Sequence, residues 1–162
     1  MGPADAASEW YCESVVFEPD IVALDKEIQE FVLVVEVKTT STEFEFIECQ
    51  LKRYMADMHC PVGLFVTPER LRIYRNRYLG PKEESIVLMG QFDVTGVFKF
   101  KPSEAPQNVE PAFQNFVQEW LENLGTEAGI SALPDDLRRA AQLYILPAIA
   151  HGTIRAGHAR TA

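Results

Sequence analysis

The chain has 162 residues, 47% of them hydrophobic and 24% charged, which fits one soluble globular domain with a proper core and no disorder beyond the ends. A net charge of -9 argues against a surface that attracts nucleic acid broadly, because such binding is driven by neutralising phosphates. No stretch approaches the apolar length of a membrane span, and the acidic opening Met1 to Glu9 lacks the basic start and apolar centre of a signal peptide, so the cytoplasm is the expected address.

The first elements are strands. Ser14 to Asp25 is β-branched and apolar around Pro19-Asp20, Lys26 to Glu30 is a polar link, and Phe31 to Val37 reads as a buried strand continuing to Lys38. Two such runs with a short link predict an antiparallel pair. Side chains alternate along a strand, so Glu36 and Lys38 point the same way and Val37 the other. A lone Glu in so apolar a run is costly to bury and should have a partner or a metal.

Thr39-Thr40-Ser41-Thr42 suits a helix N-cap, with Thr40-x-x-Glu43 and Thr42-x-x-Glu45 both fitting a capping box. Phe44, Ile47, Leu51, Met55 and Met58 form the core stripe of the helix that follows. Gln50 and Tyr54, four apart, share one margin of that stripe, while Glu43, Glu45 and Glu48 are expected to serve the helix N-terminus and solvent.

Val62 to Val66 reads as a short buried strand, with its hairpin partner in the arginine-rich run from Arg70. Leu71 and Ile73 alternate there with Arg70 and Arg72, which predicts a half-buried strand showing arginines to water or to phosphate. Ser85 to Met89 and Val94 to Phe100 are candidate edge strands or a helical piece, and Lys101 to Pro106 is a connector. An amphipathic helix over Val109 to Leu124 carries Phe113, Phe116, Val117, Trp120, Leu121 and Leu124 on one side and stops at Gly125. That stripe fits packing on the sheet or on a second subunit. A second helix over Asp135 to Ile149 bends or ends at Pro147, and the tail from His151 to Ala162 is expected to fray.

Cys12, Cys49 and Cys60 are odd in number, show no C-x-x-C spacing and read as small core residues in a reducing compartment. With His59, His151 and His158 they form no zinc-ligand spacing.

Taken residue by residue, Asp20 can be a turn aspartate, Glu36 and Lys38 an edge-strand salt bridge, and Tyr54 a core aromatic. Together, Pro19-Asp20, Glu36-Val37-Lys38 and Gln50-x-x-x-Tyr54 resemble the PD-(D/E)XK nuclease superfamily over roughly residues 8 to 100. Pro19 to Tyr78 is similar in style to the N-terminal nuclease region of type I restriction enzyme motor subunits. The resemblance implies an α/β, restriction-endonuclease-like fold with a central mixed sheet flanked by helices. Residues 1–101 would be the nuclease-like core and residues 102–162 a C-terminal helical pair packed on it. It implies further that Asp20 and Glu36 bind Mg²⁺ or Mn²⁺, that Lys38 activates or orients water and offsets phosphate charge, and that Gln50 and Tyr54 support the site or touch nucleic acid. The family usually places a glutamate-bearing helix before the first strand; Glu9 and Glu13 are the available stand-ins, and Glu18 shares the face of Asp20 if the strand runs unbroken through Pro19.

The resulting expectation is a Mg²⁺- or Mn²⁺-dependent deoxyribonuclease in restriction, defence or repair, with DNA as partner and a homodimer or larger complex open. Lys52, Arg53, Arg70 and Arg72 are the candidate nucleic-acid contacts, since an acidic chain needs a compact basic groove. The rival is a non-catalytic nuclease-fold module that assembles a complex.

Overall fold

The computed structural model describes residues 17–40, 42–79, 83–101 and 108–157. Six strands form one sheet: β1 (Ile21–Asp25), β2 (Phe31–Val37), β3 (Val62–Val66), β4 (Arg70–Asn76), β5 (Ile86–Asp93) and β6 (Gly152–Ala156), in the order β5-β4-β3-β2-β1-β6. Only β2 and β3 run parallel. A parallel pair needs a crossover, and helix α1 (Phe44–Asp57) supplies it. The β1–β2 link is the expected hairpin, turned by Asp25, whose Oδ1 accepts from Glu27 N at 2.8 Å and Ile28 N at 3.1 Å.

The sheet lies between two helical layers, so the α/β class and the mixed sheet flanked by helices stand. On one face, Val22, Val34, Phe65 and Tyr74 meet Ile47, Leu51, Met55 and Ala56 of α1. On the other, Ile21, Val35, Val37, Leu64 and Ile73 meet Phe113, Val117 and Leu121 of α2 (Val109–Leu124). Helices α3 (Glu127–Ser131), α4 (Asp135–Ala140) and α5 (Leu146–Ile149) follow, with a π-wound turn over Ala141–Ile145 between the last two. Leu137, Ala141 and Ile145 bury against the same layer, so residues 108–157 build one face of the sheet's core. Among the described residues no helix is long and apolar enough to cross a membrane.

Several local expectations are corrected. Pro19-Asp20 precedes β1, so Glu18 does not share its face by alternation, and it is exposed; Ser14, Val15 and Val16 of the expected strand lie outside the described residues. Helix α1 has no capping box: it starts after Glu43, in the left-handed region at φ 62°, without a side-chain cap, and Thr42 Oγ1 donates to Thr40 Oγ1 at 3.1 Å instead. The segment 94–100 is a turn whose Phe98 and Phe100 pack on Phe113 and Phe116. Gly152 to Ala156 does not fray but pairs with β1 as an edge strand, because β1 would otherwise leave its backbone groups unpaired. Of the cysteines, Cys60 is buried and free as expected, whereas Cys49 is disulfide-bonded, which corrects its reading as a reduced core residue. Cys12, Glu9 and Glu13 lie outside the described residues.

Candidate active site

Asp20 is held at every polar group. Its N–H donates to Val35 O at 3.0 Å and its carbonyl accepts from Gly157 N at 2.9 Å, which ties it to β2 on one side and to the end of β6 on the other. Its Oδ2 accepts from Val37 N at 2.8 Å, and its Oδ1 from Gln114 Nε2 at 3.0 Å. Gly157 must be glycine for this approach: a Cβ there would strike the Pro19 carbonyl.

The register Ile21 to Val35 puts Glu36 directly opposite Asp20. Both are buried, 7% and 5% exposed, and their side chains share a hydrogen bond. Burial, then the bond and the charge of Asp20, hold the Glu36 carboxyl far above the usual carboxylate range, with Lys38 opposing them. At neutral pH the site therefore retains a proton. Lys38 follows β2 with its N–H on Val66 O at 3.0 Å. Its side chain is half-buried and makes no ion pair or hydrogen bond with another described residue. The edge salt bridge that Glu-x-Lys spacing permits is thus absent among the described residues, and the two acids pair with each other.

Gln50 and Tyr54 both lie on α1, and Gln50 is buried. Tyr54 rests edge-on against Phe17 at 5.4 Å and near Phe31 at 6.2 Å, and burial raises its phenol above the ordinary value. No hydrogen bond among the described residues joins either side chain to Asp20 or Glu36. Tyr54 sits as a packed aromatic near the opening of β2, while Glu36 is at its end.

The opposite flank of α1 overturns the reading of Arg72 and Glu48 as solvent-facing. Glu36, Phe65, Arg72 and Gln91 are successive cross-strand partners, a row on the α1 face in which about 10 Å separates Glu36 from Arg72. Arg72 Nη1 meets Glu48 Oε2 at 2.9 Å, its Nε donates to Gln91 Oε1 at 2.6 Å, and its guanidinium lies over the Phe44 ring at 4.2 Å. Tyr74 Oη donates to the same Glu48 oxygen, and Lys52 Nζ stands 3.8 Å from the other. Strand alternation puts Arg72 on the expected face, but that face lies under the first turns of α1, which brought its own acid. Arg70 is exposed beside Asp93, whose carboxyl is held low chiefly by its hydrogen bonds with Thr95, with Arg70 a small addition. Arg53 is half-buried.

Gln114 was not legible as a site residue. The one signal was its spacing from Glu110: both lie on the margin of the aromatic stripe, and Glu110 Oε1 accepts from Thr39 N at 3.3 Å.

Whether these residues suit a divalent cation turns on donor chemistry. Among the described residues no third His, Cys, Asp or Glu joins the pair. Mg²⁺ is nevertheless commonly held by one or two carboxylates, with waters and phosphate oxygens completing its shell. Asp20 and Glu36 fit that requirement once Glu36 gives up its proton. An apolar hollow of about 510 Å³, lined by Leu121, Leu146, Ile149 and Ile154 among others, lies elsewhere and includes none of the site residues. Comparison with family models, curated proteins and solved structures found no match.

Proposed function

We propose that the protein is a metal-dependent nuclease of restriction-endonuclease-like fold, hydrolysing phosphodiester bonds in DNA in preference to RNA, in a cytoplasmic restriction, defence or repair setting. The observation that carries this reading is the buried Asp20–Glu36 pair at adjacent strand ends, with the Lys38 charge acting on Glu36. Two buried acids against each other destabilise the fold, and perturbed carboxyls of this kind concentrate where chemistry is done.

A cation bound by the two carboxylates would polarise a phosphoryl oxygen and stabilise the leaving oxygen. Asp20 is already oriented by Val37 N and Gln114 Nε2, so little motion would be needed to present its carboxylate. To hold a cation Glu36 would have to release its proton, which would couple occupancy of the site to pH. Lys38 places an ammonium where charge grows on the phosphate and can orient the attacking water; phosphorus gains that oxygen and loses the bridging one. Gln50, buried on α1, would support the helical wall of the site.

A second reading, a non-catalytic module of the same fold, is favoured by the commitment of Arg72 and Lys52 to Glu48, which leaves a thin basic surface on an acidic chain. Incubation of pure protein with circular single- and double-stranded DNA decides between them. Nicking with Mg²⁺ or Mn²⁺ that is lost in EDTA supports the nuclease; intact circles with both metals leave the module.

A further inference from the structure

We propose that Gln114 is a positioning residue of the carboxylate site, the side chain that sets the plane of the Asp20 carboxylate for a hard cation; this rests on the metal-site reading above. The Cβ–Cγ torsion of an aspartate is broad, so a single bond to one oxygen leaves the carboxylate free to swing. Val37 N holds Oδ2 at 2.8 Å, and the Glu36 carboxyl bonds the same side chain. Gln114 Nε2 holds Oδ1 at 3.0 Å, and it arrives from the opposite helical layer. Donors on both oxygens define a plane.

The donor is on a rigid support. Phe113 and Val117, neighbours of Gln114 on α2, are fully buried in the core shared with Ile21, Val35 and Val37. One turn earlier, Glu110 accepts from Thr39 N immediately after Lys38. A single helical edge therefore grips both strand ends, Asp20 before β1 through Gln114 and the chain after β2 through Glu110. The segment from residue 108 onward is by this argument a structural part of the site. Partners that orient a ligand are typically worth 10- to 100-fold in metal affinity.

The test measures Mn²⁺ binding to the full chain by electron paramagnetic resonance, at a temperature where circular dichroism shows each variant folded. Gln114→Met keeps the stem and removes the donor, Gln114→Ala removes both, and Glu119→Ala alters an exposed position of the same helix. The expected result is wild-type Mn²⁺ affinity for Glu119→Ala and a loss of about tenfold for both Gln114 variants. Folded Gln114 variants that bind Mn²⁺ as wild type does would overturn the role of Gln114 and leave the metal site standing. Wild-type protein that takes up no Mn²⁺ would overturn the metal site itself, and this inference with it.

Discussion

Glu36 faces Asp20 directly across the first two strands with both carboxyls buried, and burial with the neighbouring acid holds the Glu36 carboxyl in its protonated form well above the usual range. The folded chain keeps that proton where the unfolded chain, with its carboxyl near the ordinary value of 4.5, releases it. Stability contributed by the pair is complete below that value and is lost as pH rises toward the elevated folded pKa, by at most roughly 1.4 kcal/mol per pH unit. Glu36→Gln, which cannot ionise, should therefore gain on wild type as pH rises from 5 to 8 in EDTA. Urea melts at three pH values check this, and a constant difference between the two proteins would sink it.

Metal should relieve the same conflict. Millimolar Mg²⁺ or Mn²⁺ is expected to raise the melting temperature, more at pH 8 than at pH 6 because binding expels the Glu36 proton. Asp20→Asn should weaken the response, and the Asp20→Ala/Glu36→Ala double variant should lose it. A wild-type melting curve indifferent to metal speaks for the non-catalytic module.

Lys38→Ala should abolish cleavage with the fold and Mn²⁺ binding retained, because the ammonium makes no ion pair or hydrogen bond with another described residue. The comparison requires cleavage of circular DNA and Mn²⁺ titration side by side. Wild-type cleavage in the variant would remove Lys38 from the mechanism.

The arginines of β4 should separate by partner. Arg72→Gln strips Glu48 of a charge-assisted bond in a half-buried network and should cost about 1–3 kcal/mol. Arg70→Gln, at an exposed position, should change stability by no more than about 0.5 kcal/mol while flattening any salt dependence of DNA binding. Equal stability losses for the two would show that the Glu48 network adds nothing.

Gly157→Ala tests whether β6 reaches the site. A Cβ at Gly157 would press on the Pro19 carbonyl and shift Asp20, so both melting temperature and Mn²⁺ affinity should fall. Unchanged Mn²⁺ affinity would mean that Asp20 is held by β2 and α2 alone.

What was legible in the sequence is what local chemistry dictates. Apolar, β-branched runs from Ile21 and from Phe31 defined the two strands, the polar link defined their hairpin, and Phe44, Ile47, Leu51 and Met55 defined the inner face of α1. Those periods and the short link were enough to bring Asp20 and Glu36 to one end of the sheet. Side-chain partners across the layers were not legible, because they depend on which helix lands on which face and at what height. Tertiary packing alone brought Gln114 to Asp20, 94 residues apart, and Glu48 to Arg72. It also drew the polar tail into the sheet, since the open edge of β1 had backbone groups to satisfy and Gly152 to Ala156 supplied them. A polar side chain's partner is chosen by geometry in three dimensions, and no period in the chain encodes it.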